Sequence, residues 1–107
     1  MVVVNNEANH APTALHLVPT ADRAAIGNCL ARCRAGDSVL LLCDGVLHLS
    51  DSEGVSALPE RVALYAIRAD LPARGLPESL AAETCRLVED VEFTGLLERH
   101  SHCLTWK

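Results

Sequence analysis

The stretch Ser38-Val39-Leu40-Leu41-Leu42-Cys43, six residues without a charge, is opened by Gly36-Asp37 and closed by Asp44-Gly45. A continuous run of this kind, without alternation, is the pattern of a central parallel strand covered on both faces. It falls far short of the roughly 20 apolar residues that span a bilayer. Upstream, Thr13 to Val18 alternates, with Leu15 and Leu17 on one face, and reads as a first strand ended by Pro19. Between the two, Ile26, Cys29, Leu30 and Cys33 fall at i, i+3, i+4 and i+7, the one-sided stripe of a helix over about Ala21–Ala35. Thr20 is its expected N-cap, Asp22 suits the first turn, and Gly36 is the expected left-handed stop. Gly27 inside that helix costs on the order of 1 kcal/mol relative to alanine.

Downstream, the pattern predicts a third strand over Arg61–Ile67, a single helical turn over Asp70–Gly75 around Pro72, and another short turn over Pro77–Glu83. Cys85–Val88 is a fourth strand. Glu89-Asp90 open a helix through about His100, with Phe93, Leu96 and Leu97 as its stripe, and Cys103–Trp106 closes the chain as a last strand. Val46–Leu49 fits either a short helix or an apolar loop, and Ser50–Gly54 is a turn cluster. Residues 1–13 read as an irregular N-terminal extension in which Val2–Val4 have an alternative place on a sheet edge, and residues 14–107 as one domain. Strands alternating with helices imply the α/β class, a three-layer α/β/α sandwich around a mostly parallel sheet.

Composition narrows the function. The 107 residues are 50% hydrophobic but hold one Phe, one Tyr and one Trp, so the core is aliphatic. A net charge of −5 argues against a phosphate-gripping face and hence against direct nucleic-acid binding. Met1-Val2-Val3-Val4 has no basic region before it and too few apolar residues for a signal peptide, which makes the cytoplasm the expected location. Five cysteines, with no C-x-x-C pair, are expected to be free thiols there.

Chemistry therefore turns first on the thiols. Cys43 ends the central strand, where open α/β sheets place their ligands, but Asp44 beside it opposes a thiolate. Cys29 lies mid-helix with Arg32 near it, Cys33 shares its stripe, and Cys85 and Cys103 open strands. Against all five stands the ordinary use of free cysteine as a small core hydrophobe. His100-Ser101-His102-Cys103 offers zinc-type donors without a second ligand pair at a zinc spacing, and a helix-terminal role suits His100 better. Asp44 resembles a phospho-acceptor, yet Val18-Pro19-Thr20 stands where the acidic pair of a receiver belongs. No phosphate loop, Ser-His-Asp set or paired-carboxylate motif stands out.

A family resemblance runs through residues already quoted and others. Leu15-His16 with Val18, Asn28-Cys29-Leu30, Gly36, Ser38-Val39-Leu40-Leu41 and Asp44-Gly45-Val46 resemble the TusB/DsrH family of sulfur-relay proteins (DsrE/F/H-like). Tyr65-Ala66, Asp70-Leu71, Ala73-Arg74-Gly75, Phe93, Leu96, His100 and Trp106 continue it to the C-terminus. The resemblance implies a five-stranded sheet and a heterohexamer with TusC/DsrF-like and TusD/DsrE-like subunits. It also implies delivery of persulfide sulfur to a TusE/DsrC-like carrier, without cofactor, for 2-thiouridine formation at the tRNA wobble position; the alternative use is dissimilatory sulfur oxidation. The family's main sulfur-carrying cysteine is on the TusD/DsrE-like subunit. Some TusB/DsrH members have a cysteine at the place of Cys29, which makes Cys29 the candidate persulfide carrier here. A non-catalytic assembly subunit and an independent thiol enzyme centred on Cys43 are the rivals. Cys43 and the extension before Ala14 depart from the family pattern.

Overall fold

A computed structural model describes residues 2–5, 13–51, 55–81 and 85–107. The elements are β1 (Val2–Asn5), β2 (Ala14–Val18), α1 (Arg23–Arg32), β3 (Ser38–Leu41), β4 (Ala63–Ile67), β5 (Arg86–Val88), α2 (Phe93–Glu98) and β6 (His102–Thr105), with 3-10 segments between them. One sheet runs β1-β6-β2-β3-β4-β5. From β6 to β5 the five strands are parallel, as expected. Val2–Asn5 adds a sixth strand, antiparallel to β6 with Val3 opposite Leu104. Regular pairing thus replaces the irregular extension expected over these four residues, because an apolar β-branched trio can cover the otherwise bare edge of β6. The rest of the Asn5–Asn9 stretch lies outside the described residues, as do parts of the Ser50–Gly54 and Pro77–Glu83 turns.

The central run behaves as its pattern requires. All four residues of β3 are buried, and neighbours alternate between two cores. Val39 and Leu41 join Val18, Ile26, Cys29 and Leu30 beneath α1, while Leu40 joins Leu15, Ile67, Val88 and Leu96 beneath α2. The sheet is therefore covered on both faces, which gives the three layers.

Several boundaries move for local reasons. The N-cap of α1 is Asp22, whose carboxylate accepts from the Ala24 N–H at 3.0 Å; the Thr20 hydroxyl is used instead by the Asp22 N–H at 3.1 Å. At the other end Cys33, extended at ψ 143°, is the C-cap. Gly36 is not the helix stop. It takes φ +92° as the third residue of a turn in which the Asp37 N–H donates to the Arg34 carbonyl at 2.9 Å. Val46–Leu49, open between a short helix and a loop in sequence, lies within a 3-10 helix over Cys43–Ser50. It sits so close to the end of β2 that a Cβ on Gly45 would lie 1.8 Å from the Val18 carbonyl oxygen. The last helix is split into a 3-10 turn over Asp90–Glu92, closed by a Glu89–Glu92 capping box, and α2 proper.

Candidate functional site

β2 turns Leu15 and Leu17 toward the α2 side, so period-two alternation turns His16 toward α1. α1 runs back over the sheet and brings Cys29 and Cys33, one turn apart, down onto His16. One nitrogen of His16 and the two sulfurs all lie within 4.8 Å of one another. Asp37, immediately before β3, closes the group from the side. Its carboxylate takes three donors: the Ala14 N–H at 2.9 Å, the Arg34 N–H at 3.0 Å and His16 Nε2 at 2.9 Å. From the far end of the chain, Trp106 follows β6 and donates its indole N–H to His16 Nδ1 at 3.0 Å, with the two rings stacked. An indole N–H can only donate, so Nδ1 holds a lone pair and the ring proton is on Nε2, directed at Asp37.

The electrostatics divide the two thiols. Cys29 is completely buried at 0% exposure, and its pKa is raised, first by its hydrogen bond to Cys33 and then by burial. Cys33 is half-buried and its pKa is lowered to about 6, chiefly because the Cys29 thiol stabilises its thiolate, with His16 adding to this against the cost of burial. The carboxyl-terminal end of α1 opposes a thiolate by about 0.3–1 kcal/mol, too little to cancel those direct contacts. Burial is also the largest influence on Asp37, pushing it up, but His16 and the two backbone donors outweigh it and the pKa is lowered. For His16, burial pushes down while Cys33 and Asp37 outweigh it and raise the pKa. The Trp106 N–H on Nδ1 works the other way, since an imidazolium cannot accept it.

This cluster is also where, among the described residues, three metal-type donors converge. Two thiols and an imidazole suit a soft ion. Both nitrogens of His16 are engaged, however, so ligation there requires displacing the Trp106 donor or the Asp37 acceptor.

The other candidates are scattered. Cys43 is exposed at the opposite, carboxyl end of the sheet, at φ +52°, with its N–H held by Asp70 at 2.7 Å. Beside it a depression of about 360 Å³ is lined by Leu40, Leu42, Ile67, Asp70, Asp90 and Phe93. Asp44 is paired with Arg74 at 2.9 Å. Cys85 is buried, its thiol pushed up to about 12, and Cys103 packs against the α2 core and is pushed up by burial as well. His100 directly follows the Arg99 C-cap of α2, with its N–H on the Leu97 carbonyl at 3.3 Å. It is buried, with Nδ1 bonded to Thr13 Oγ1 at 2.8 Å and Nε2 to Ser38 Oγ at 3.0 Å, tying the start of β2 to that of β3. His102 is exposed and Cys103 points to the other core, so the His-Ser-His-Cys stretch does not converge.

Comparison with known proteins agrees with the order of these elements. A family model described as DsrH like protein matches residues 20–103. The chain belongs to the DsrH-like family. Among solved structures, this DsrH-like chain is similar to protein Tm0979 from Thermotoga maritima, determined by solution NMR. The two share 29% identity and a TM-score of 0.60 over 79% of this chain and 91% of that one. No curated protein matches. Family membership carries a role related to sulfur relay and membership of a complex with other subunits. Among the described residues, no helix is long and apolar enough to cross a membrane.

Of the residues gathered at the site, Cys29 and Cys33 stand out in sequence as one stripe. Asp37 reads there only as a strand opener, and His16 and Trp106 only as parts of the resemblance. The pairing of residues 16 and 106 has no local signal, because it depends on β6 lying beside β2.

Proposed function

We propose that this chain is a cytoplasmic subunit of a heterohexameric sulfurtransferase complex. It works with TusC/DsrF-like and TusD/DsrE-like subunits to hand persulfide sulfur to a TusE/DsrC-like carrier for 2-thiouridine formation at the tRNA wobble position. Residues 14–107 are the relay domain. Family membership supports the role, and one observation carries it for this subunit: a thiol pair on α1 in which the outer member, Cys33, is reachable and held toward thiolate. A nucleophile that accepts sulfur has to be ionised and accessible. Cys29, the carrier expected from the resemblance, is ionised with difficulty and enclosed, so Cys33 is the thiol that takes the sulfur first. The net charge of −5 suits a subunit that feeds a separate tRNA-modifying enzyme.

The complete burial of Cys29 favours a second reading, an assembly subunit that shapes the complex and carries no sulfur. Co-expression with the two partner subunits, incubation with a cysteine desulfurase and cysteine, and peptide mass spectrometry separate the two. Added sulfur on Cys33 or Cys29 supports the relay. An intact complex that loads its other subunits and leaves both thiols bare sinks it in favour of assembly.

A further inference from the structure

The relay reading uses one reactive thiol, yet α1 and its C-cap bring two sulfurs within 4.8 Å of one another. Helix geometry sets Cα atoms four residues apart at about 6 Å, within the roughly 4.4–6.8 Å that disulfides span. The two Cβ bonds of an intact turn point the same way and stay too far apart for an unstrained bond, so joining the sulfurs requires the last turn to loosen. This turn can do so. Cys33 is the C-cap, with extended ψ, and its N–H is shared between the carbonyls of Cys29 at 3.1 Å and Leu30 at 3.3 Å. The two sulfurs already lie within 4.8 Å of one another.

Resting on the relay assignment, we propose that Cys29 is a resolving cysteine, which discharges a persulfide on Cys33 as sulfide whenever no acceptor takes it. Cys29 Sγ attacks Cys33 Sγ; the Sγ–Sγ bond forms as the bond from Cys33 Sγ to the outer sulfur breaks. The Cys29 thiol proton leaves with the outer sulfur as hydrosulfide. Cys29 is oxidised to the disulfide level while the outer sulfur is reduced, so no external oxidant is needed. Loading moves the negative charge from Cys33 Sγ to the outer sulfur, which takes up the Cys29 proton as it leaves. A dithiol reductant restores the pair. Strain in the closed turn makes that disulfide easy to reduce.

The test uses the reduced full-length chain, inorganic polysulfide as sulfur donor, removal of excess donor, and then measurement of sulfide and peptides. Trypsin cuts after Arg32, so the disulfide appears as the fragment 24–32 linked to the dipeptide Cys33-Arg34, distinct from any sulfur taken up by exposed Cys43. The expected result is about one equivalent of sulfide and the linked peptides from the native chain. Cys29→Ser and Cys29→Ala, each checked for fold by Trp106 fluorescence, retain sulfur on Cys33 and release at least roughly tenfold less sulfide. A native chain that holds its persulfide on Cys33 with no linked peptide overturns the resolving role and leaves the relay standing. No linked peptide and no sulfur on Cys33 or Cys29 in any of the three proteins overturns the relay itself.

Discussion

Asp37 is the residue whose removal tests the site most directly. Asp37→Ala leaves three donors without their acceptor: the His16 Nε2–H, at 1% exposure, and the N–H groups of Ala14 and Arg34. A buried donor left unsatisfied costs about 1–3 kcal/mol, and donors nearer the surface fall at the low end because water reaches them. The sum is about 3–5 kcal/mol, a large share of the roughly 5–15 kcal/mol by which domains are stable. With a urea m-value of about 1.5 kcal/mol/M, the unfolding midpoint falls by about 2–3 M at pH 7 while m is unchanged. Asp37→Asn keeps the shape and one acceptor oxygen and loses about half as much. Because the folded pKa of Asp37 is lowered, its contribution is present above the unfolded carboxyl pKa, about 3.9, and is lost as pH falls through the folded value. The native protein therefore loses stability more steeply than Asp37→Asn on acidification below about pH 4. A midpoint shift for Asp37→Ala under about 0.5 M would refute the three-donor account.

Cys33 should be alkylated by iodoacetamide with a rate that reaches half its maximum near pH 6, whereas Cys29 resists until the protein unfolds; a midpoint above 8 at Cys33 contradicts the assigned contacts. Trp106→Phe removes the donor to His16 Nδ1, so it should cost about 1 kcal/mol and raise the His16 pKa, read from imidazole NMR shifts. An unchanged titration would mean that the indole does not hold the tautomer. Gly45→Ala should cost at least about 2–3 kcal/mol, since its Cβ meets the Val18 carbonyl. Gly27→Ala, with open space around it in α1, should instead stabilise by about 0.5–1 kcal/mol, and the two thermal midpoints should move in opposite directions.

The large elements were legible because each buries a face with its own period. The unbroken aliphatic run Val39–Leu42 marks β3 as central, and the stripe of α1 places Cys29 and Cys33 on one side. Caps were harder. Thr20 and Asp22 are both good N-cap residues, and the choice fell to Asp22 once the Thr20 carbonyl was taken by His48 Nε2 at 2.8 Å. Gly36 has the φ that a helix stop needs, but so does a tight turn, and the spacing between α1 and β3 decided for the turn.

The sequence by itself determined the class of the fold, the parallel core, the family and the presence of two thiols one helical turn apart. Periodicity and burial act locally and leave their mark on neighbouring residues. Only the tertiary structure decided which of those thiols ionises. The contact between the two thiols is local to α1, but the burial of Cys29, the imidazole of His16 and the carboxylate of Asp37 that act on them, and the indole of Trp106 that orients the imidazole, come from other segments. Their electrostatic effect depends on distances of a few ångströms that exist only once β6 has crossed the sheet to lie beside β2.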